Sequence, residues 1–470
     1  MPVAQIACPL WQAAQRWPRQ PALEEGGLTV SFADLEQQVA GLCGQLSRQG
    51  VAAGDRLALV TSDRGALVRW LLAALRLKLT AVVINPGQPD DALSNQLQRA
   101  APRWRVAERS CDDEVSAVWS PRLFESCSGD SETVTAIDSY LPFTGVFTSG
   151  SSGTPKLALH CYANHYASAR GSQSLIPLRP GDRWAAVLPF HHVGGLALIF
   201  RCLLAGACLQ IPASERTVAE LVTDSTTGPT HLSAVGTQLL RLRTEGVRLD
   251  GGCLRTLLLG GSAFSPQLLD WLEPQRLQVL ISYGLTEMSS QVMTGLVNPD
   301  GLLATLLPGR ELMIAADGEI LVRGDTLFLG YDEDGVLRRP LDETGWFHTR
   351  DLGALTATGL KVQGRLDNQF ISGGENIQPE EIEGVIAQYP GVSVCVVVPV
   401  ADAEFGQRPV ALVAGLTLPD QAEPLRQWLR KRLPGYKVPI AVLALPEQEG
   451  ALKVQRSALL RWAAEQIFSQ

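Results

Sequence analysis

Basic residues are not in excess in this sequence, and their shortage limits the partners that the protein can have. The chain contains 40 lysine and arginine residues against 48 aspartate and glutamate residues, which gives a formal net charge of −8. Such a chain offers no broad positive surface to a nucleic acid or to an anionic membrane. We therefore expect small-molecule partners, and an anionic ligand would need a local site of its own.

Paired cysteines, a leader segment and a long apolar run are also missing. The nine cysteines include no CxxC pair, which favours reduced thiols over a disulfide framework. Residues 1–19 contain no basic segment followed by an apolar run, the pattern of a secretory signal. The most apolar stretch, 185–212, is interrupted by His191, His192 and Arg201, well short of the ~20 apolar residues that a membrane span needs. These absences predict a cytoplasmic protein and leave homo-oligomerisation open.

The length and periodicity of the chain predict more than one globular unit. With 470 residues, 46% of them hydrophobic, the chain exceeds one compact core. Short apolar strands alternate with helices over residues 28–85 and again over 184–242, which predicts an α/β architecture with buried parallel strands. Short strands and turns after Gly301 indicate a small β-rich subdomain. We predict a large N-terminal α/β domain that includes this subdomain, residues 1–366, and a smaller α+β C-terminal domain, residues 367–470.

A glycine- and serine-rich segment, FTSGSSGTPK at residues 147–156, follows an apolar strand. Glycines let a loop wrap closely around an anion, hydroxyl and N–H groups donate to its oxygens, and a terminal lysine neutralises charge. The spacing differs from that of P-loop NTPases, and a strand at 157–160 follows instead of a helix. The pattern indicates a phosphate-binding loop, although the segment taken alone fits a flexible surface turn equally well. The candidate anion ligands are Thr148, Ser149, Gly150, Ser151, Ser152, Gly153, Thr154 and Lys156.

This segment resembles the phosphate-binding signature of the adenylate-forming superfamily, which includes acyl-CoA synthetases, luciferases and the adenylation domains of peptide synthetases. One motif alone would be weak evidence: taken singly, Tyr283 fits a core aromatic residue and Glu287 fits a solvated acid. An ordered set of motifs is highly specific. The resemblance implies an enzyme that uses ATP and Mg²⁺ to activate a carboxylate as an acyl-adenylate and then transfers the acyl group to coenzyme A. Further matches follow in the family's order at residues 259–262, 282–287, 318–324, 345–353, 364–367, 372–376, 379–383 and 453–456.

The resemblance assigns the nucleotide site to residues in several of these matches. Tyr283 offers a flat face on which adenine can stack, and Thr286 offers a hydroxyl group to the α-phosphate. Glu287 is the hard oxygen ligand that Mg²⁺ prefers, and it is also a candidate catalytic residue. Asp351 would accept hydrogen bonds from both ribose hydroxyls, and Arg365 would support the ribose or the phosphates. The remaining assigned positions are Gly261, Ser262 and Gly284.

Lys453 is the candidate catalytic residue for the first half-reaction. When a carboxylate attacks the α-phosphate, two anions approach each other, and a positioned ammonium group accelerates the step by roughly 10²- to 10³-fold. The family pattern has glycine directly before this lysine, whereas Ala451 and Leu452 precede it here and Gly450 lies three residues upstream. An exposed lysine near the C-terminus is the ordinary alternative at such a position.

The second half-reaction needs a different surface, because the thiol of coenzyme A must reach the carbonyl carbon that the lysine guarded. The resemblance implies that the C-terminal domain is mobile and rotates between the two steps about a hinge at Asp367. Gly373 and Gly374 match the small residues that line the tunnel for the pantetheine arm of coenzyme A.

The acyl pocket is predicted from the stretch PFHHVGG at residues 189–195. His192 matches the histidine of a gate near the acyl pocket of the family, and it is a candidate catalytic and substrate-contacting residue. Adenylation domains for amino acids carry an aspartate near this place to hold the α-amine. The Phe-His-His sequence therefore argues against an amino acid substrate.

Within the superfamily, the chain is similar to acid–CoA ligases of menaquinone synthesis, on the stretches SYGLTEMSSQV at 282–292 and GRLDNQFISGGENIQPEEIE at 364–383. Their substrate carries two carboxylates and a ketone, so the pocket would need hydrogen-bond donors. Arg201 or Arg241 would neutralise the second carboxylate, although a solvated surface position fits each arginine equally well. Another acyl- or aryl-CoA ligase, or a noncatalytic relative that senses acyl-adenylates, is the alternative. The candidate acyl contacts are Thr237, Gly260, Ser262, Ser289, Ser290 and Gln291.

Overall fold

The computed structural model describes residues 5–108, 118–126, 135–148, 155–260, 266–298, 302–446 and 456–468. The helices in these ranges are α1 (Pro9–Arg16), α2 (Phe32–Arg48), α3 (Arg64–Arg76), α4 (Asp90–Ala100), α5 (Tyr162–Gln173), α6 (Val193–Ala205), α7 (Val218–Thr223), α8 (Gly236–Thr244), α9 (Pro266–Leu272), α10 (Pro379–Ile386), α11 (Ala422–Arg430) and α12 (Arg456–Phe468). Short 3₁₀ turns occur between them, including Thr286–Met288 and Leu366–Asn368.

Strands account for most of the remaining regular structure. Those that precede residue 300 are β1 (Gln5–Ala7), β2 (Pro21–Glu25), β3 (Leu28–Ser31), β4 (Arg56–Val60), β5 (Thr80–Val83), β6 (Trp104–Ala107), β7 (Val118–Trp119), β8 (Ala136–Asp138), β9 (Pro142–Thr148), β10 (Lys156–Cys161), β11 (Arg183–Ala185), β12 (Cys208–Ile211), β13 (His231–Ala234), β14 (Thr256–Gly260), β15 (Gln278–Leu285) and β16 (Ser290–Leu296). Those that follow it are β17 (Thr305–Leu306), β18 (Arg310–Ile314), β19 (Glu319–Gly324), β20 (Gly330–Glu333), β21 (Val336–Arg338), β22 (Phe347–Thr356), β23 (Gly359–Arg365), β24 (Phe370–Ser372), β25 (Glu375–Ile377), β26 (Val394–Asp402), β27 (Gly406–Ala414) and β28 (Ala441–Ala444).

Two large sheets form the N-terminal part of the protein. One has eight strands in the order β21-β20-β10-β9-β5-β4-β6-β7, and the other has nine in the order β17-β16-β15-β14-β13-β11-β12-β2-β3. Their central strands run parallel, as in the pairs β4–β5 and β13–β14. Leu57 and Leu59 in β4, like Leu257 and Leu259 in β14, are fully buried, as expected for parallel strands with helices on both faces. The predicted α/β class is confirmed.

Helices α2, α3 and α6 join the two sheets through one continuous core. Helix α2 begins at a capping box in which Ser31 and Asp34 each accept a hydrogen bond from the other's backbone N–H group. This arrangement satisfies donors that the helix cannot satisfy itself. Trp70 of α3, Phe200 of α6 and Leu258 of β14 belong to the same cluster of buried side chains. The shared core fixes one sheet against the other, and with it the loops at their strand ends.

A small antiparallel sheet, β18-β19-β22-β23, confirms the predicted β-rich subdomain. Ile320 and Val322 on its inner face pack into the same cluster as Leu257 of the nine-stranded sheet. The neighbouring hairpin β20–β21 behaves differently, because β20 pairs with β10 and so extends the eight-stranded sheet. An ion pair between Arg56 and Asp332 links this hairpin to the start of β4. The sequence did not predict this long-range pairing.

The C-terminal part has its own cores on the two faces of one sheet, β26-β27-β28. Adjacent residues of a strand point to opposite faces. Val397 accordingly packs with Ile382 of α10 and Leu429 of α11, whereas Val396 packs with Leu459 of α12. This arrangement confirms the smaller α+β unit. The boundary at residues 366 and 367 stays a prediction.

Two of the absences seen in the sequence have structural counterparts. Among the helices of the described ranges, not one is long and apolar enough to cross a bilayer. The cysteines of those ranges are free thiols, and most of them are buried.

Candidate active site

Strands β9 and β10 bring the two ends of the glycine- and serine-rich segment together. Thr148 at the end of β9 pairs with Lys156 at the start of β10, and the Thr148 hydroxyl lies 3.5 Å from the Lys156 carbonyl oxygen. The antiparallel pairing therefore places these two ends side by side. The predicted anion ligands from Ser149 to Thr154 lie outside the described residues.

Lys156 and Glu287 both contact the side chain of Tyr331. The Tyr331 hydroxyl donates to Glu287 Oε1 at 2.5 Å, and Lys156 Nζ lies 5.0 Å from the centroid of the Tyr331 ring. The backbone N–H group of Phe328 donates to the Glu287 carbonyl oxygen at 2.8 Å. Sequence reasoning missed Tyr331, since no local signal distinguishes it from an ordinary core aromatic residue.

Tyr283, Asp351 and Arg365 form a second group, which we call the nucleotide cluster. The Tyr283 hydroxyl donates to Asp351 Oδ2 at 2.7 Å, and Arg365 Nη1 donates to Asp351 Oδ1 at 3.0 Å. The pairing of β22 with β23 places Asp351 directly opposite Arg365. Burial, and then the charge of Asp351, raise the pKa of Tyr283 well above its usual value, so the hydroxyl stays a donor. Three residues predicted for the nucleotide site are thus in direct contact.

A buried histidine, His160, holds the backbone of the Thr286–Met288 turn, which carries Glu287. His160 Nε2 donates to the Thr286 carbonyl oxygen at 2.7 Å. Because a carbonyl oxygen only accepts, this nitrogen must carry the proton. Burial lowers the pKa of His160 to about 4, so the ring is neutral at physiological pH. His160 was not predicted from the sequence either.

Gly284 lies where the backbone of β16 comes too close for a side chain. A Cβ atom at this position would stand 2.0 Å from the Ser290 carbonyl oxygen. Glycine is therefore required here by a close approach of the backbone. The other glycine predicted in this part of the site, Gly261, lies outside the described residues together with Ser262.

The predicted catalytic Lys453 lies outside the described residues, but the chain is anchored three positions later. Arg456, the first residue of α12, donates to Glu383 Oε2 at 2.8 Å and to the Val397 carbonyl oxygen at 2.6 Å. Burial raises the pKa of Glu383 despite the nearby Arg456. This pair ties the segment that follows Lys453 to α10 and β26.

The predicted hinge residue Asp367 holds two arginines of the preceding sheet. Arg350 Nη2 donates to Asp367 Oδ1 at 2.9 Å, and Arg365 Nη2 donates to Asp367 Oδ2 at 3.3 Å. Shortly after it, Gly373 and Gly374 form the β24–β25 turn with φ angles of +57° and +85°. Both angles favour glycine, and a Cβ atom on Gly373 would stand 2.8 Å from the Phe405 ring.

Arg201, Ser290 and Trp184 form a third group. We call it the acyl cluster, because Arg201 and Ser290 were predicted for the acyl pocket. Arg201 is 3% exposed, its Nη2 donates to Ser290 Oγ at 3.3 Å, and its guanidinium carbon lies 5.2 Å from the centroid of the Trp184 ring. It forms no ion pair with a carboxylate of the described residues, and its Nε atom is buried without a hydrogen bond. Burial, and then the nearby Arg310, lower the pKa of Arg201 to about 9, which leaves it charged at neutral pH.

The other acyl candidates are more dispersed. Ser289 is fully buried, and its hydroxyl donates to the Thr326 carbonyl oxygen at 2.9 Å. Its proton is therefore already engaged in a hydrogen bond within the protein. Thr237 and Arg241 are exposed on α8. His192 is exposed at the start of α6, with its ring 4.6 Å from the ring of His191. The remaining two, Gly260 and Gln291, lie at the end of β14 and within β16.

Comparison with known families agrees with this geometry. The model of the AMP-binding enzyme family matches residues 10–332, and the model of the AMP-binding enzyme C-terminal domain matches residues 381–451. The chain belongs to the AMP-binding enzyme family.

Named relatives match along nearly the whole chain. The 2-succinylbenzoate–CoA ligase of Salmonella typhimurium is 33% identical over 447 residues, which cover 95% of each chain. Among solved structures, the o-succinylbenzoate CoA synthetase of Bacillus subtilis in complex with the acyl-adenylate intermediate OSB-AMP has a TM-score of 0.86 at 26% identity and covers 97% of this chain and 98% of the other. The same enzyme in complex with ATP and magnesium has a TM-score of 0.85 at 27% identity and covers 97% and 100% of the two chains.

Proposed function

We propose that this protein joins 2-succinylbenzoate to coenzyme A, as an AMP-forming ligase of menaquinone biosynthesis. The carboxylate would first react with ATP to give an acyl-adenylate and pyrophosphate. The thiol of coenzyme A would then displace AMP. The observation that carries the substrate assignment is the buried Arg201, which has no carboxylate partner among the described residues. The full-length similarity to ligases of that name supports it.

Arg201 fits the carboxylate of the substrate that does not react. A buried guanidinium without a counter-charge is costly, and an ion pair with hydrogen bonds would offset that cost. Arg201 already donates to Ser290 Oγ, so these two side chains supply adjacent polar groups. A substrate with one carboxylate would leave the arginine uncompensated, which supports a dicarboxylate over a simple benzoate or fatty acid.

ATP would bind between the nucleotide cluster and the phosphate-binding loop. Asp351 is held by Tyr283 and Arg365, so its orientation is set before a ribose arrives. Lys156 stands at the base of the loop and would neutralise phosphate charge. In this arrangement Thr286 faces the α-phosphate, as the resemblance implies.

Glu287 suits a magnesium ion that accompanies ATP. Its Oε1 accepts from Tyr331, while the described residues offer no hydrogen bond to its Oε2. Mg²⁺ commonly takes one or two protein carboxylates and completes its shell with phosphates and water. When bound, the ion would offset the negative charge of the phosphates. Glu287 would hold it at the end of the site where Lys156 also lies.

Lys453 would act at the adenylation step, and the C-terminal unit would then turn about Asp367. The ammonium group of Lys453 would bridge the attacking carboxylate and the α-phosphate. After rotation, Gly373 and Gly374 would line the path of the pantetheine arm. We place the domain boundary between residues 366 and 367 on this basis. A cytoplasmic location and homo-oligomerisation remain predictions.

A coupled assay tests the proposed function. Mixing the protein with MgATP and 2-succinylbenzoate should release pyrophosphate, and adding coenzyme A should then release AMP. Benzoate and a medium-chain fatty acid serve as matched substrates that lack the second carboxylate. Turnover only with these controls would favour another acyl- or aryl-CoA ligase. Tight binding of acyl-adenylate without pyrophosphate release would favour a noncatalytic sensor.

A further inference from the structure

Tyr331 touches two charged groups of opposite sign in different ways. Its hydroxyl donates to Glu287 Oε1 at 2.5 Å, and the face of its ring lies 5.0 Å from Lys156 Nζ. The negative face of an aromatic ring attracts an ammonium group, and a phenol hydroxyl is a good donor to a carboxylate. No ion pair between Lys156 and Glu287 forms among the described contacts. Each of the two charged groups thus contacts Tyr331 through a different part of its side chain.

The ring itself is held rigidly. Tyr331 is 8% exposed, and it packs edge-on against Phe328, with ring centroids 4.8 Å apart and an interplanar angle of 72°. Strand pairing adds a backbone restraint, since Tyr331 lies opposite Ala158 and Asp332 lies opposite Leu157. The next residue, Asp332, is tied to Arg56. These restraints therefore fix the position of the Tyr331 hydroxyl relative to Glu287.

The backbone of Glu287 is held by the same segment. The Phe328 N–H group donates to the Glu287 carbonyl oxygen, and Asn164 Nδ2 donates to the carbonyl oxygens of Asp325 and Leu327 at 2.9 Å. Residues 325–331 thus hold Glu287 at both its backbone and its side chain. The result is a carboxylate with one oxygen fixed by hydrogen bonding and the other open to a ligand.

We propose that Tyr331 is a positioning residue that orients Glu287 toward a nucleotide-bound divalent cation and keeps Lys156 apart for the phosphates. This inference deepens the proposed function, because it assumes that Glu287 and Lys156 serve MgATP. A carboxylate that ligates a metal is itself usually fixed by a hydrogen bond, and loss of such a partner typically lowers metal affinity or activity by about 10- to 100-fold. Without the hydroxyl, Glu287 is free to rotate toward Lys156, and each charge then cancels the other.

The hydroxyl and the ring can be separated by two substitutions. Tyr331→Phe removes the donor and keeps the aromatic face under Lys156. Isothermal titration with ATP in Mg²⁺ and in EDTA measures how much the cation strengthens nucleotide binding. We expect Tyr331→Phe to reduce the gain due to Mg²⁺ by about tenfold and to leave binding in EDTA unchanged. Tyr331→Leu should weaken binding in EDTA as well, because Lys156 loses the ring.

Activity provides a second readout that distinguishes positioning from stability. Tyr331→Phe should require about tenfold more Mg²⁺ for half-maximal pyrophosphate release, while thioester formation from pre-made acyl-adenylate stays at the wild-type rate. Tyr162→Phe, at another buried tyrosine of the N-terminal part, is the matched control and should change neither.

Two outcomes for the Tyr331→Phe variant would overturn the role of Tyr331. One is a Mg²⁺ dependence identical to that of the wild type. The other is an equal loss of ATP affinity in Mg²⁺ and EDTA, which would indicate a structural role. Failure of the proposed function is distinguishable, because a wild-type protein that binds MgATP but forms no thioester with any carboxylate would refute the ligase while leaving the titration result in place.

Discussion

The nucleotide cluster and the acyl cluster each contain a buried charged side chain, Asp351 and Arg201, yet they differ in charge balance. In the nucleotide cluster, Asp351 accepts from Tyr283 and Arg365, so its charge is compensated before any ligand arrives. In the acyl cluster, Arg201 has a serine and an aromatic ring beside it, but no carboxylate of the described chain. If the proposed roles hold, the residues for the common cosubstrate balance their charge among themselves, whereas those for the particular acid take their counter-charge from that acid.

The largest effect is expected between the two clusters, where the carboxylate would meet the α-phosphate. Lys453→Ala should lower the rate of pyrophosphate release by about 100-fold or more. Thioester formation from pre-made acyl-adenylate should persist, because the lysine would have left the site by then. Rapid-quench measurement of each half-reaction tests this. Equal loss in both would remove the assigned role.

The acyl cluster should respond next most strongly and with opposite signs in activity and stability. Arg201→Met should lower kcat/KM for 2-succinylbenzoate by about 100-fold, since a desolvated charge pair with the substrate is lost. The same change should raise the Tm of the free protein, because an uncompensated buried charge is removed. Steady-state kinetics and calorimetry provide the two measurements. Arg241→Met, at the exposed alternative, is the control, and a larger effect there would reassign the second carboxylate.

The nucleotide cluster should show the reverse pattern on stability. Asp351→Asn removes a buried charge that accepts from Tyr283 and Arg365. Because Arg365 is about half exposed and keeps its bond to Asp367, unfolding in urea should become easier by about 1 kcal/mol. ATP affinity should fall about tenfold. The value of kcat/KM should fall to the same extent for acids with one carboxylate and for acids with two. Asp334→Asn, at an exposed turn, is the matched control. A stabilised variant would contradict the charge balance described for this cluster.

The last effect is confined to acidic pH and concerns His160, a neutral group that holds the Thr286 carbonyl oxygen. Burial lowers the pKa of His160 to about 4 from 6.5, so the unfolded chain takes up the proton first as the pH falls. Stability present at pH 7 is therefore lost between about pH 6.5 and pH 4, by about 2 kcal/mol at pH 5. His160→Gln keeps a donor for Thr286 and should abolish that part of the acid loss. Urea unfolding at pH 7 and at pH 5 measures this loss, and the exposed His348→Gln is the control. An acid loss unchanged in His160→Gln would contradict the assignment to His160.

Local sequence signals predicted much of the fold. Helix α2, one of the helices expected within residues 28–85, is found at Phe32–Arg48, because a capping box and an amphipathic pattern act within the segment itself. The α+β unit expected within residues 367–470 contains strands such as β26 at Val394–Asp402 and helices such as α11 at Ala422–Arg430. What could not be predicted is the partner of each strand, since pairing depends on contacts between distant residues. The clearest case is β20, which pairs with β10 of the eight-stranded sheet and not with a strand of the small antiparallel sheet.

The candidate site divides in the same way. Family motifs singled out Tyr283, Asp351 and Arg365, and these side chains are in contact, although their roles stay predictions. Tyr331 and His160 carry no motif, because each acts through a residue more than 40 positions away. Their importance follows from packing, which a single sequence does not display.

The pairing of β10 with β20 also has a consequence for the order in which the protein is made. Strand β10 ends at Cys161 and β20 begins at Gly330, so a growing chain carries β10 as an open edge while strands β11 to β17 of the second sheet are synthesised. An open edge exposes unpaired backbone groups to other chains. Lys156, at the end of the predicted phosphate-binding segment, therefore gains its neighbours in β20 late, and a fragment that stops before residue 330 would lack both the covering strand and the ring beside Lys156.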